Sequence, residues 1–467
     1  MTDSQKIYDQ RGQTVYGSQT NVVGDQHIHL PPIQPTTATA PAPPPDFVGR
    51  DDQISQLTAT VTAGKAAAIT ALHGMGGIGK TALAQQLAER LKPAFPGGIF
   101  WGDLALHGGS AETILRAWGA MCGADFNQEP DPAVLSERVR GLLAMRRETN
   151  GALLAVVDDV RAEWLDGAQL LQKSLPADTA LLVTMRDVDL AVALDAEVVR
   201  LDVLPEPDAR ELLAARVKPN EILTPDEMVK ALLQQLGYLP LAIRLAGGHI
   251  SKFAAKPGFE LSGFVAEVAR RAVSLLDVAG GGGLAATFAI SYEALSEAQK
   301  KVFRYCSVYA APLLTVEHMA GLLAMEETTV EAVLDDLVEV ALLDWDREVK
   351  GRYVLHPLLR QYGYETLQQE ENAILLHRQA AIYLFSGIDR MGRFPDEVLE
   401  EVRQWQLARE WKLMARRAHR LIGTLDRYGY WDEIEVVLHS AQDSLSNVAN
   451  HINSAWLLFK SVNHYLR

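Results

Sequence analysis

The segment Gly74-Met75-Gly76-Gly77-Ile78-Gly79-Lys80-Thr81 decides the fold of this 467-residue chain. It satisfies the pattern G-x-x-x-x-G-K-[ST], and it lies between a short apolar run, Ala66–Leu72, and a helical pattern, Thr81–Leu91. Phosphate-binding loops occur in this strand–turn–helix context. Their glycines let the backbone wrap phosphate groups, and the helix N-terminus adds about half a positive charge. A chance match to the pattern is the alternative, and the flanking strand and helix argue against it.

Individual residues of this loop have separate predicted roles. Lys80 is expected to reach the β- and γ-phosphates, and the Thr81 hydroxyl is expected to bind Mg²⁺. The backbone around four glycines would cradle the phosphates: Gly74, Gly76, Gly77 and Gly79. The predicted cofactors are therefore ATP or ADP, together with Mg²⁺.

Polar side chains follow two later apolar runs. Asp158 and Asp159 come directly after Leu153–Val157; we predict that Asp158 binds Mg²⁺ through water and that Asp159 polarises the attacking water. Arg186 ends the run Val183-Thr184-Met185-Arg186, where it can sense a γ-phosphate through charge-assisted hydrogen bonds. A solvated acidic turn and a surface salt bridge are the structural alternatives. The predicted catalytic residues are Lys80, Asp158, Asp159 and Arg186.

Short apolar runs alternate with helical patterns up to about residue 208. The four runs are Ala66–Leu72, Ile99–Leu104, Leu153–Val157 and Ala180–Thr184. Strands separated by helices indicate a parallel sheet covered on both faces, whose strand carboxyl ends share one ligand-binding edge. Helices then dominate, and a β-hairpin pattern at residues 342–355 predicts a winged helix. From Asn372 onwards the pattern is helical, loosely like helical-hairpin repeats.

The predicted fold class is an α/β parallel-sheet P-loop NTPase domain followed by an all-α helical domain, a winged helix and an α-helical, TPR-like C-terminal region. The predicted segments are a short N-terminal peptide (1–30), a Pro-rich linker (31–45), the nucleotide-binding domain (46–205), the helical domain (206–279), the winged helix (280–371) and a C-terminal helical region (372–467). The four glycines Gly280–Gly283 predict a hinge. The sequence ends within a helical pattern, so a longer natural protein is one interpretation.

Composition excludes several classes of protein. The 44 basic and 59 acidic residues give a net charge of −15, which argues against broad nucleic-acid binding. Two cysteines far apart, Cys122 and Cys306, make neither a disulfide framework nor a four-ligand zinc site. The sequence has no run of 18 apolar residues and no signal-peptide core near Met1. We therefore expect a cytoplasmic protein without membrane contact.

The N-terminal segment differs in composition from the rest of the chain. Seven prolines fall within Pro31–Pro45, which indicates a semi-rigid linker and leaves about thirty residues ahead of it. Within these, Thr14–His29 combines β-branched residues with Gln, Asn and Gly, as cross-β segments do. Its core Gly17-Ser18-Gln19-Thr20-Asn21-Val22-Val23-Gly24 resembles the amyloid-signalling motifs, distantly related to RHIM segments, that precede NTPase domains in bacterial and fungal proteins. A non-functional tail is the alternative.

Three further motifs lie before and after the phosphate loop, in a characteristic order along the chain. Phe47-Val48-Gly49-Arg50 precedes the phosphate loop, Gly237-Tyr238-Leu239-Pro240-Leu241 follows the sheet, and Leu355-His356-Pro357 ends the hairpin. With the phosphate loop and Thr184-Met185-Arg186, this order resembles the STAND class of signalling ATPases. The more specific resemblance is to the NB-ARC type of plant immune receptors and apoptotic scaffolds, over residues 47–367.

The resemblance implies roles for the residues of these motifs. Val48 and Arg50 would lie along adenine and ribose, Pro240 would pack on adenine, and His356 would bind the β-phosphate of ADP in the resting state. The family's M-H-D triplet is here Leu355-His356-Pro357. Because proline removes a carboxylate and a backbone N–H, the lock on ADP is expected to be weaker or differently built. Without the resemblance, a structural role is the ordinary expectation for His356.

The resemblance also implies a function, a nucleotide-dependent signalling switch. The chain would exchange ADP for ATP, oligomerise, and present its N-terminus to an effector with a matching motif, as in bacterial defence or cell-death signalling. Hydrolysis would be slow, and an unknown activating ligand would bind the C-terminal helices. The alternative is an ATP-dependent transcriptional regulator that binds DNA. A metabolic P-loop kinase is a third alternative, but it leaves the winged helix without a role.

Charge along the predicted recognition helix weighs against DNA binding. Thr328–Val340 has no basic residue and carries four acidic ones, Glu331, Asp335, Asp336 and Glu339. Such a surface repels phosphates. A basic stretch from Arg403 to Arg420 is interleaved with Glu401 and Glu410, so a solvated helix face explains it most simply. Nucleic acid is therefore not an expected partner.

Overall fold

The computed structural model describes residues 40–410 apart from short gaps, and also residues 413–414 and 437. The gaps are 72–75, 107, 127–128, 130, 218–225, 255, 275–281, 310–312, 347–348, 371 and 387–394. The predicted cross-β peptide, most of the proline-rich linker and Gly74 lie outside the described residues, as does most of the C-terminal basic stretch. The domain boundaries predicted above stay predictions.

A five-stranded parallel sheet forms the first half of the chain. Its strands are β1 Ala66–Ala71, β2 Gly98–Asp103, β3 Leu153–Val160, β4 Ala180–Met185 and β5 Glu197–Leu201, in the order β2-β3-β4-β1-β5. The sequence predicts the first four. It does not predict β5, because this edge strand exposes Glu197 and Arg200 and lacks a continuous apolar run.

Helices cover both faces of the sheet. They are α1 Asp51–Thr62, α2 Lys80–Leu91, α3 Ala111–Met121, α4 Pro132–Asn150, α5 Leu165–Lys173 and α6 Asp189–Ala193. Alternate strand residues enter two separate cores: Phe100 and Val157 pack with α3 on one face, while Ile99 and Val156 pack with α1 and α2 on the other. The sheet therefore holds its carboxyl ends on a rigid two-sided support.

A helical layer follows the sheet. It comprises α7 Glu206–Arg216, α8 Asp226–Gln235, α9 Pro240–Phe253, α10 Leu261–Ser274 and α11 Gly282–Glu293. The second half of the predicted glycine hinge is helical, since α11 begins at Gly282. A Cβ on Gly283 would lie 2.1 Å from the Gln235 carbonyl oxygen, so glycine here permits close packing of α11 against the end of α8.

The winged helix packs around a core that it shares with Leu241 and Leu245 of α9 and Phe288 of α11. It is built from α12 Glu297–Cys306, α13 Val316–Leu323, α14 Glu327–Glu339, the hairpin β6 Asp344–Trp345 and β7 Tyr353–Val354, and α15 Pro357–Glu370. Helix α12 starts with a capping box, in which Ser296 and Gln299 satisfy each other's backbone N–H groups. The hairpin pattern at residues 342–355 and the predicted recognition helix Thr328–Val340 agree with β6, β7 and α14.

Two further helices, α16 Ala373–Ser386 and α17 Pro395–Leu407, pack against each other beyond the winged helix. Arg403 does not lie on a purely solvated face, because it donates a 2.6 Å hydrogen bond to the Val308 carbonyl. A parallel α/β domain followed by a mostly helical region confirms the predicted fold class. Among the helices that the structure describes, none has the length and apolar character needed to cross a membrane.

Candidate nucleotide site

The phosphate loop joins β1 to α2 at the carboxyl edge of the sheet. Gly77 and Gly79 adopt positive φ angles of 77° and 96°, a backbone conformation that glycine accepts without strain. Gly79 caps α2 without a side-chain hydrogen bond. The N–H groups of the first turn of α2 are therefore left for an anion such as a phosphate.

Lys80 lies at the start of α2, among charged groups from two strand ends. Burial lowers its pKa most, and the charge of Arg186 lowers it further, while Asp159 and Asp158 act in the opposite direction. The structure thus brings together the four residues predicted to be catalytic, Lys80, Asp158, Asp159 and Arg186. Their roles in hydrolysis stay predictions.

Asp158 is the buried carboxylate of the site. It is 3% exposed, and its Oδ1 accepts hydrogen bonds from the Thr81 hydroxyl at 3.1 Å and from the Thr184 hydroxyl. Burial, and then the charge of Asp103 on the neighbouring strand, raises its pKa to about 7. The carboxylate would be stabilised by a cation, and carboxylate and hydroxyl oxygens suit Mg²⁺. Thr81 and Asp158 therefore fit the predicted metal.

A β-bulge in β3 sets the direction of Asp159. The register with β4 shifts between Val157 and Val160, and Asp159 has a φ of 53°. Its N–H donates to the Thr184 hydroxyl at 2.9 Å. Arg161 donates to Asp159 Oδ2 from Nε at 3.0 Å, and Arg186 Nε lies 4.0 Å from Oδ1. Sequence reasoning missed Arg161, because a single arginine after a strand matches no motif.

His356 lies at the start of α15, near cations from α9, from the end of β4 and from the phosphate loop. Burial lowers its pKa to about 4, and the charges of Arg244, Arg186 and Lys80 add to this effect. Its Nδ1 accepts the Leu358 N–H at 3.2 Å, so the neutral ring carries its proton on Nε2. A donor of this kind suits a phosphate oxygen.

Helix α15 also closes over the loop. A Cβ on Gly76 would lie 2.8 Å from Leu358 Cδ1, so α15 contacts the loop backbone directly. Pro357, which replaces the aspartate of the family triplet, is the first residue of α15. Proline suits that position, because its fixed φ is helical and its missing N–H has no partner within the helix.

Helix α9 also packs against the phosphate loop, on a different side from α15. Its first residue is Pro240, and the N–H of Leu241 donates to the Gly77 carbonyl at 3.3 Å. A Cβ on Gly77 would meet Leu241 Cβ at 3.0 Å. The predicted position of Pro240 beside a nucleotide is therefore compatible with where α9 begins, although its contact with adenine stays a prediction.

The segment before α1 runs beside the phosphate loop. Arg50 is buried, has a φ of 69° and donates to the Ile78 carbonyl at 3.4 Å. Val48 packs against the core of the helical layer. A Cβ on Gly49 would lie 2.1 Å from Asp208 Oδ2, so this position needs glycine for both space and conformation. Contact of Val48 and Arg50 with a nucleoside stays a prediction.

A cluster of four charged residues links these parts of the chain, and no sequence motif predicts it. Arg216 and Arg244 both donate to Asp46 Oδ2, and Arg244 also donates to Asp344 Oδ1 at 2.8 Å. Burial acts to raise the pKa of Asp46, but the charges of Arg244 and Arg216 outweigh it and lower the pKa. The four residues come from the leading segment, α7, α9 and the wing, so only the folded chain brings them together.

Comparison with known proteins agrees with this architecture. Residues 46–191 match the family model of the AAA ATPase domain, which implies nucleotide binding. The solved structure of a STAND protein with a tetratricopeptide repeat sensor from Pyrococcus horikoshii shares the fold, with a TM-score of 0.58 and 16% identity over 92% of this chain and 60% of that one.

Curated relatives extend the comparison to regulators. The regulatory protein AfsR of Streptomyces coelicolor is 32% identical over 72% of this chain and 33% of its own length, and AfsR of Streptomyces griseus is 30% identical over 78% and 37%. A probable disease resistance protein of Arabidopsis thaliana, RF45, is 25% identical over 44% of this chain and 21% of its own. The chain spans about a third of the length of the AfsR relatives.

Proposed function

We propose that this STAND-type NTPase, related to the AfsR regulators and to plant disease-resistance proteins, is the nucleotide-dependent switch of a transcriptional regulator. One observation carries the switch: two helices from outside the sheet domain close directly on the phosphate loop. The N–H of Leu241 in α9 bonds the Gly77 carbonyl, and Leu358 in α15 covers Gly76. A nucleotide held beneath such contacts is exchanged only when the helices move away.

The closed arrangement favours ADP as the resting ligand. Neutral His356 would donate from Nε2 to a β-phosphate oxygen, while Lys80 and the N–H groups of α2 supply the remaining contacts. ATP adds a γ-phosphate at the edge that holds Arg186 and Asp159. Its extra volume would displace the covering helices, so ATP favours an open form. Hydrolysis returns the switch to the closed form.

The names of the Streptomyces relatives, which describe regulatory proteins, support the regulatory output. DNA contact through α14 is not part of the proposal. Asp335 of that helix accepts hydrogen bonds from Trp345 and Tyr353 of the wing, and Asp336 pairs with Lys252 of α9. The acidic residues of α14 therefore hold the winged helix together and against α9.

Self-association is the remaining step of the proposed switch. The open ATP form would assemble into an oligomer and bring many N-terminal segments together, which raises their effective concentration. Display of Thr14–His29 to an effector with a matching motif is a second, separate output. Only the amide-rich, low-charge composition of that segment supports it.

Nucleotide binding and mass in solution test the switch. The purified chain should co-elute with ADP, and light scattering should show a monomer with ADP and a larger species with a non-hydrolysable ATP analogue. Lys80→Ala should lose nucleotide, whereas Lys92→Ala, at an exposed position paired with Glu89, should retain it. A wild-type chain that purifies without nucleotide and does not bind it would contradict the proposal.

Transcript levels test the regulatory output. Replacing the chromosomal copy with the Lys80→Ala variant should change a defined set of transcripts, and the Lys92→Ala strain should match the wild type. Unchanged transcript levels under every growth condition that produces the protein would overturn the regulatory assignment. The nucleotide switch would then stand on the binding data alone.

A further inference from the structure

The side chain of Arg161 holds one oxygen of Asp159. Both Nε and a terminal nitrogen of the guanidinium donate to Oδ2, at 3.0 and 2.5 Å. Its other carboxylate neighbour, Glu163, lies 3.9 Å away and is mostly exposed. Arg161 therefore binds Asp159 in preference to Glu163, and it binds through a single oxygen.

The guanidinium of Arg161 is itself held in place. It lies over the indole of Trp164, with 4.5 Å between its central carbon and the ring centroid. Trp164 packs against the core beside α3, and a Cβ on Gly109 would lie only 2.3 Å from the indole Cδ1. A ring pressed on backbone and core cannot shift easily. Arg161 therefore holds Asp159 in a fixed position relative to this rigid part of the fold.

The second oxygen of Asp159 is oriented differently. Oδ1 is the oxygen nearer Arg186, and its 4.0 Å separation from Arg186 Nε is longer than a hydrogen bond. Asp159 also acts electrostatically on Lys80 of the phosphate loop. The backbone is fixed as well, since the Asp159 N–H donates to Thr184. Oδ1 is therefore directed towards the residues predicted to surround the γ-phosphate.

We propose that Arg161 is a positioning residue for ATP hydrolysis, which fixes Asp159 so that Oδ1 accepts a proton from the attacking water. The inference rests on the proposed function. The water oxygen forms a bond to the γ-phosphorus, and the bond from that phosphorus to the β–γ bridging oxygen breaks. The bridging oxygen leaves with the electron pair as part of ADP, and the proton of the water passes to Asp159 before release to solvent.

Single-turnover and steady-state kinetics on the full chain test the assignment. Arg161→Ala should lower kcat about tenfold, a part of what a general base contributes, and should leave KM and ADP affinity within about twofold. Arg161→Lys should recover part of the loss, because it keeps the charge but not the fork of two donors. Arg90→Ala is the matched control, an exposed arginine on α2 that pairs loosely with Asp51 at 3.7 Å.

A double-mutant cycle separates positioning from a general structural effect. If Arg161 acts only through Asp159, Arg161→Ala should cause no further loss of kcat in an Asp159→Asn background. If Arg161 instead stabilises the fold in general, the double variant should have a lower kcat than Asp159→Asn alone. An unchanged or raised kcat in Arg161→Ala would overturn the assignment while the switch stands. A wild type that binds nucleotide but turns over no faster than Lys80→Ala would overturn both the assignment and the proposed hydrolysis.

Discussion

Arg244 of α9 donates a 2.8 Å hydrogen bond to Asp344 of the wing strand β6. Four and eight residues further along the same helix, Gly248 lies against Val340 and Lys252 lies 3.5 Å from Asp336. Residues at this spacing share one helix face. One face of α9 therefore forms a continuous contact with α14 and the wing.

The same helix begins at the phosphate loop, where Leu241 bonds the Gly77 carbonyl. Helix α9 thus contacts the predicted nucleotide pocket at its start and the winged helix along its length. Movement of the winged helix away from α9 would remove the support that α9 gives to the loop.

Loss of the wing contact should loosen the closed form. Asp344→Asn removes the charge that pairs with Arg244 and Arg216, so we expect release of a fluorescent ADP analogue to accelerate about twofold to fivefold. The effect is modest because Asp344 is partly exposed and such pairs contribute about 1 kcal/mol or less. Stopped-flow fluorescence measures the rate. Asp51→Asn, a change at an exposed residue of α1, should leave it unchanged.

Much of the sheet domain could be predicted from the sequence, because its signals are local. Continuous apolar runs mark the buried parallel strands, and glycines mark the loop where positive φ angles are needed. The sequence also places Lys80, Asp158 and Arg186 at one edge, since parallel strands end together. Strand β5 escapes detection because an edge strand exposes charged side chains.

The remaining features depend on contacts between distant residues. Arg161 follows Asp159 by two positions, yet its importance depends on the indole of Trp164 and on the backbone at Gly109. The contact of Asp46 with Arg216 and Arg244 joins residues about 170 and 198 positions apart. No local period or motif encodes such pairs, so only the folded structure shows them.

A methyl group placed between α9 and the winged helix should separate them. A Cβ on Gly248 would lie 2.7 Å from the backbone carbon of Val340, which cannot move aside as a side chain can. Gly248→Ala should therefore accelerate ADP release by about tenfold or more and increase the oligomer fraction with an ATP analogue.

Gly263→Ala is the matched control for Gly248→Ala. Gly263 lies within α10, where an added Cβ meets nothing within 4 Å. Alanine there should raise the free energy of unfolding by about 0.5–1 kcal/mol, because it reduces the freedom of the unfolded chain. Its ADP release rate should equal that of the wild type. Equal rates for both variants would contradict closure by α9.

The raised pKa of Asp158 predicts a pH dependence of stability without magnesium. The folded protein keeps a proton on Asp158 up to about pH 7, whereas the unfolded chain loses it near pH 4. Because the folded state binds more protons between these values, the contribution of Asp158 to the free energy of unfolding falls as pH rises from about 4 to 7.

Urea unfolding at several pH values checks this sign. His356 acts in the opposite direction over much of the same range, because its pKa is lowered to about 4. The contribution of Asp158 is therefore isolated by subtracting the free energy of unfolding of the wild type from that of Asp158→Asn. This difference should increase steadily as pH rises from about 4 to 7. Added Mg²⁺ should reverse the trend for the wild type near pH 7. A pH-independent difference would show that burial and Asp103 do not control this carboxylate.

His356 should contribute to ADP affinity as a neutral donor. His356→Ala removes the Nε2–H and should weaken ADP binding about tenfold to hundredfold, in the range of one hydrogen bond to a charged group. His356→Gln keeps an N–H donor and should recover part of that affinity. Isothermal titration calorimetry measures both. Since the pKa of His356 is about 4, the ratio of wild-type to variant affinity should stay constant from pH 6 to pH 8. A ratio that grew as pH fell through 6.5 would show that the charged imidazolium binds the phosphate instead.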